Sequence, residues 1–96
     1  MRLVRLLEEA TDDFAVLAED HAKKEARHKK NWAQTYLARE GSVKERESWA
    51  EYQNADSLFD YKIADALMRA KREQLSSLRE SMGALRTLSA NVRAQT

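Results

Sequence analysis

The sequence predicts an all-α fold, a two-helix antiparallel hairpin that assembles into a homo-oligomer, on three observations. Ala, Glu, Lys, Arg and Leu make up 53 of the 96 residues, the composition of long helices and coiled coils. There is no Pro, and the only glycines are Gly41 and Gly83, so the turns an all-β chain needs every ~8–12 residues are missing. Apolar residues step by three and four along nearly the whole chain, the spacing that keeps them on one helical face.

The first element follows from Leu3, Leu7, Ala10, Phe14 and Leu17. The stripe continues through His21, Ala22 and Ala26 to Trp32 and Tyr36, and predicts a helix over 3–40. Gly41 then offers the left-handed conformation that ends a helix. Ser42-Val43-Lys44-Glu45 reads as a capping box, in which the serine hydroxyl accepts from the Glu45 backbone N–H. Stop and start signals at adjacent residues predict a turn at 41–42. The second helix is expected over 43–94, carried by Trp49, Tyr52, Ala55, Phe59, Ile63, Ala66, Leu67 and Ala70, then Leu75 to Val92. Gly83 inside it costs about 1 kcal/mol relative to Ala. All of 1–96 forms one domain.

A tight turn sets the two helices antiparallel. With the turn at 41–42, the numbers of facing residues add to about 83. This register puts Arg27 against Asp56, Lys23 against Asp60 and Asp12 against Lys71. Charge agrees with it: residues 1–20 carry −4 and 21–30 carry +4, while 40–60 carry −4 and 69–93 carry +4. Each exposed pair contributes under ~1 kcal/mol, so the pattern selects register more than stability. The same register leaves 83–96 overhanging. Only 26 apolar residues are larger than Ala, a thin core for a chain of this size. An overhang with an apolar stripe is therefore expected to pack on another copy, through Leu78, Met82, Leu85, Leu88 and Val92.

Composition also bounds function. A net charge of +1 excludes a polycation. The absence of Cys excludes disulfides and thiolate metal sites. No apolar run approaches the ~18 residues of a membrane span. Leu3–Leu7 is too short for a signal-peptide core, so the expected location is the cytoplasm. No phosphate-cradling loop, nucleophile grouping or catalytic residue can be assembled, and no enzyme activity and no cofactor are expected. His21 and His28, seven apart, lack the i, i+4 spacing of a helical metal pair. The acidic pairs Glu8-Glu9, Asp12-Asp13 and Glu19-Asp20 read as solvated faces, so no metal is expected. Trp49, Tyr52, Phe59 and Tyr61 read as core and interface.

The candidate site is His21 to Lys30. Lys23, Arg27 and Lys30 share one face, with Lys24 beside it and Lys29 in the same block, and Trp32 and Tyr36 follow one turn apart. Cations that hold a backbone, next to rings that stack on bases, are what single-stranded nucleic acid binding uses. The competing reading is a solvated face paired with Asp56 and Asp60, with Trp32 and Tyr36 packed on Trp49 and Tyr52.

Met1-Arg2-Leu3, Lys23-Lys24 through Lys30, Tyr36 through Gly41, Ser42-Val43-Lys44-Glu45, Ala55-Asp56, Gly83-Ala84-Leu85 and Val92-Arg93-Ala94 together form a pattern. In it the chain resembles the UvsY-like recombination mediators of T-even and related phages and prophages. The resemblance implies a ring-forming, non-enzymatic accessory protein that binds single-stranded DNA. Such a protein helps load a recombinase onto DNA coated by a single-strand-binding protein. It also implies that Lys23, Lys24, Arg27, Lys29 and Lys30 contact phosphates. Two alternatives have no DNA-binding role: a coiled-coil adaptor or inhibitor of a host protein, and a phage structural or scaffold component.

Overall fold

A computed structural model describes the backbone of residues 2–95 and the side chains of 2–93; Met1, among the residues that carry the resemblance, lies outside them. The described chain is all-helical, with α1 (Arg2–Ala38), α2 (Val43–Gln53) and α3 (Ala55–Gln95), and contains no strand.

α1 stops two residues short of the expected boundary. Its last turn is closed by Arg39 N–H donating to the Tyr36 carbonyl at 3.4 Å and by Arg46 Nε donating to the same carbonyl at 3.1 Å. A side chain from α2 thus adds a second donor to a carbonyl in the last turn of α1. Gly41 has φ +130°, which strains any residue with a side chain. Ser42 Oγ accepts from Glu45 N–H at 3.2 Å, and α2 begins there. A Cβ at Gly41 would stand 2.6 Å from Glu45 Oε2. Gly41→Ala is therefore expected to cost about 1–3 kcal/mol, read as a lower urea midpoint with unchanged slope. A midpoint equal to that of the parent chain would show that the turn does not need this conformation.

The second helix, expected as one piece over 43–94, is divided at Asn54, which has φ −111° and ψ 17°. Asn favours local side-chain bonds over helical continuation, and here it finds them. Its Nδ2 donates to the Ala50 carbonyl at 2.8 Å and to Thr35 Oγ1 at 3.1 Å. Its own carbonyl accepts from Ser57 Oγ at 3.0 Å. Asn54 is also the one buried polar residue of the described chain.

α3 runs back along α1. The pairs Lys71–Asp13, His28–Ser57 and His21–Asp65 have residue numbers adding to 84, 85 and 86, one to three beyond the register read from the turn. Arg2 is therefore level with residues 82–84, and α3 protrudes from about Leu85 onward. The partner of Lys71 is Asp13, not Asp12, which at 100° per residue points away from the seam residues Ala10 and Phe14. Neither Arg27–Asp56 nor Lys23–Asp60 forms, because Lys23 and Arg27 lie off the seam.

The seam follows a strict three–four spacing on both helices. On α1 it runs Leu3, Leu7, Ala10, Phe14, Leu17, His21, Lys24, His28, Asn31, Thr35. On α3 it runs from Ser57 through Tyr61, Ala64, Met68, Lys71, Leu75, Leu78 and Met82, all buried or half-buried. One half is apolar; the half nearer the turn is polar and hydrogen-bonded. The buried apolar residues are Ala10, Ala50, Ala64 and Leu75, so the helices meet closely at small side chains and bury little area. The molecule measures 78 × 21 × 14 Å.

Candidate nucleic-acid interface

The block from His21 to Lys30 lies wholly within α1, and helical spacing sets each side chain's surroundings. Lys23 pairs with Glu19 at 2.9 Å, Lys24 with Asp20 at 3.1 Å and Lys29 with Glu25 at 2.7 Å. All three are i, i+4 pairs within one helix, with the acid N-terminal to the lysine, the favourable order. The neutralisation anticipated from Asp56 and Asp60 is thus supplied from one turn upstream instead. The Lys29 ammonium, through its hydrogen bond and its charge, holds the Glu25 carboxyl below the usual carboxylate range. The hydrogen bond that Lys29 donates to Glu25, and the carboxylate's charge, raise Lys29 in turn. A lowered carboxyl contributes its pairing above its unfolded value and loses it as pH falls through the folded one, so at neutral pH this pair is intact.

Arg27 and Lys30 are exposed and make no ion pair with any described residue. They stand three residues apart on one face, the two uncommitted cations of the block. Trp32 and Tyr36, both half-buried, follow a turn later. Their rings stack on each other at 5.4 Å between centroids and 12° between planes. Trp49 and Tyr52 form a second, tilted ring pair at 6.4 Å. Each pair carries an arginine: Arg46 lies 4.4 Å over the Tyr36 ring and Arg39 4.3 Å over the Trp49 ring. Rings and guanidinium planes are the surfaces on which unpaired bases stack.

Sequence reasoning missed Arg39 and Arg46, which reach the aromatics across the turn. It also missed the meeting of the two histidines. Tyr61 stacks against His21 at 5.3 Å and against His28 at 6.0 Å. His28 Nδ1 bonds Ser57 Oγ at 2.8 Å. The single Ser57 hydroxyl proton goes to the Asn54 carbonyl, so Nδ1 is the donor. His21 Nε2 lies 3.6 Å from Glu25 and 3.5 Å from Asp65, without a hydrogen bond. Among the described residues no group of three or more His, Asp or Glu is placed to hold a metal ion. No described helix is long and apolar enough to cross a membrane.

The expected interface residues Leu78, Met82, Leu85, Leu88 and Val92 are on α3. Leu78 and Met82 are half-buried in the seam, whereas Leu85, Leu88 and Val92 are 48%, 59% and 60% exposed on the protruding end. No family model, curated protein or solved structure matches this chain.

Proposed function

We propose that this chain is a non-enzymatic accessory protein that binds single-stranded DNA and, like the mediators it resembles, assists recombinase loading. Its unit is a helical hairpin that self-associates through the exposed end of α3. The observation that carries the reading is the density of cations on α1 over 23–30, on the helix that also carries the Trp32–Tyr36 stack. Of these cations, Arg27 and Lys30 are exposed and in no ion pair; Lys29 is on the face of the stack, while Arg27 and Lys30 lie on another side of the helix. Lys23, Lys24 and Lys29 add to it, because exposed ion pairs of under ~1 kcal/mol exchange readily for phosphate contacts. Several copies would multiply the effect, since contacts made by joined units add as local concentration. The expected partners are a recombinase and a single-strand-binding protein, and the expected setting is the cytoplasm of a phage-infected bacterium.

A labelled oligothymidylate tests the reading by fluorescence anisotropy. Affinity should fall by at least an order of magnitude between about 50 and 200 mM salt. Absence of binding at the lower concentration removes the DNA role. It would leave an adaptor that binds protein through apolar surface, a reading supported by Phe59, Ile63 and Leu67, exposed in a row along α3.

A further inference from the structure

Three arginines of α3, Arg72, Arg79 and Arg86, follow one another at intervals of seven, so they line one face over about 21 Å at 1.5 Å per residue. All three are exposed and in no ion pair with any described residue. The reason is local. Lys23, Lys24 and Lys29 each have an acid four residues upstream, whereas no residue three or four away from these arginines is acidic. Glu73 and Glu80 adjoin the row in sequence and point about 100° round the helix from it. His21–Asp65 marks one side of the seam and Lys71–Asp13 the other. Asp65 stands seven before Arg72, so the row lies on the Asp65 side. On α1, Glu9 and Asp13 lie on the opposite side, and Glu8 and Asp12 point away from α3. Arg86 stands beyond the start of α1, so no acid of that helix is level with it.

We propose that Arg72, Arg79 and Arg86 form a second phosphate-binding row for a DNA strand, on the side of the molecule that also carries Lys29 and the Trp32–Tyr36 stack. Glu25 and Asp65 both lie against His21, and Lys29 and Trp32 follow Glu25 by four and seven residues. The stack is therefore on the Asp65 side, about 28 Å along the rod from Arg72. The fork of a guanidinium matches two phosphate oxygens at once. Beside the row the surface is low. Ser76, Gly83 and Ala90 repeat at the same interval, and a Cβ at Gly83 would meet nothing within 4 Å, so a phosphate backbone can approach closely between Arg79 and Arg86. A protein partner or a lipid surface needs apolar side chains to bury. The exposed Leu85, Leu88 and Val92 are turned about 100° or more from the row. This inference rests on the DNA reading above and adds a contact surface at the open end of the rod.

Fluorescence anisotropy of the full chain with labelled oligothymidylate, over a salt series, tests this. Arg79→Gln/Arg86→Gln is compared with Lys44→Gln/Lys62→Gln, which removes the same charge from exposed residues outside the row. On a single strand each phosphate contact contributes about 0.7 to the slope of log affinity against log salt. The arginine variant is expected to lower that slope by about 1.4 and to weaken binding about tenfold or more at about 50 mM salt. Its helicity by circular dichroism and its sedimentation should match the parent chain, and the lysine variant should keep the parent slope. An arginine variant with the parent slope and affinity overturns the row. So does an equal loss in both variants, or a loss of assembly that accompanies the loss of binding; in each case the DNA reading stands. A parent chain that does not bind at low salt overturns both.

Discussion

Ala64→Leu is expected to lower the thermal midpoint by on the order of 10 °C. Ala64 is 2% exposed and lies level with residues 20–22 of α1, against His21. The Ala64 methyl is almost fully covered, so a larger side chain there cannot extend into solvent. Three further carbons have to displace His21 from between Glu25 and Asp65, or push the helices apart along the whole polar half of the seam. Overpacking of this kind costs about 1–3 kcal/mol. In a domain of this size each kcal/mol moves the midpoint by roughly 4–8 °C, so a drop on the order of 10 °C is expected in a circular dichroism melt at fixed protein concentration. Ala66→Leu, exposed on the same helix, is the comparison: Leu and Ala are both good helix formers, and its midpoint should hardly move. Equal midpoints for both variants would mean that the helices do not approach closely at Ala64.

Arg27→Glu combined with Lys30→Glu is expected to remove DNA binding, with at least a hundredfold loss of affinity at low salt. Each substitution deletes a phosphate contact and places a carboxylate where it stood, and every copy in an assembly contributes the change. Both residues are exposed and in no ion pair with α3 or the turn, so helicity and sedimentation should match the parent chain. Lys23→Glu, by contrast, changes a side chain already committed to Glu19 and should cost much less. If the double variant binds oligothymidylate as the parent does, the cations of α1 are a solvated face and nothing more.

Much of the architecture is legible in residue types. The all-helical character, the two long apolar stripes and the stop and start signals at Gly41 and Ser42 follow from residue type and spacing. What spacing cannot carry is the competition between equivalent partners. Lys23 had a carboxylate available four residues upstream and another across the pair; the nearer one costs less side-chain ordering, and Glu19 holds it. The division at Asn54 depends on Thr35 and Ser57 arriving from different parts of the chain to satisfy an amide, and only the folded register brings them together. His21 and His28, unrelated by any metal spacing, meet through Tyr61 for the same reason. Of the candidate site, residue types alone place the cations and the two aromatics on one helix. Which cations stay uncommitted, and that Arg39 and Arg46 cover the rings, they do not show.

The elongated shape has a practical consequence for counting subunits. The radius of gyration is 21.9 Å, whereas a compact globule reaches that radius only at roughly 420 residues. A solitary chain would leave a sizing column earlier than a round protein of its own mass, and so would look larger than it is. Stoichiometry for this molecule therefore has to come from scattered intensity or native mass spectrometry, since elution volume reports length before it reports partners.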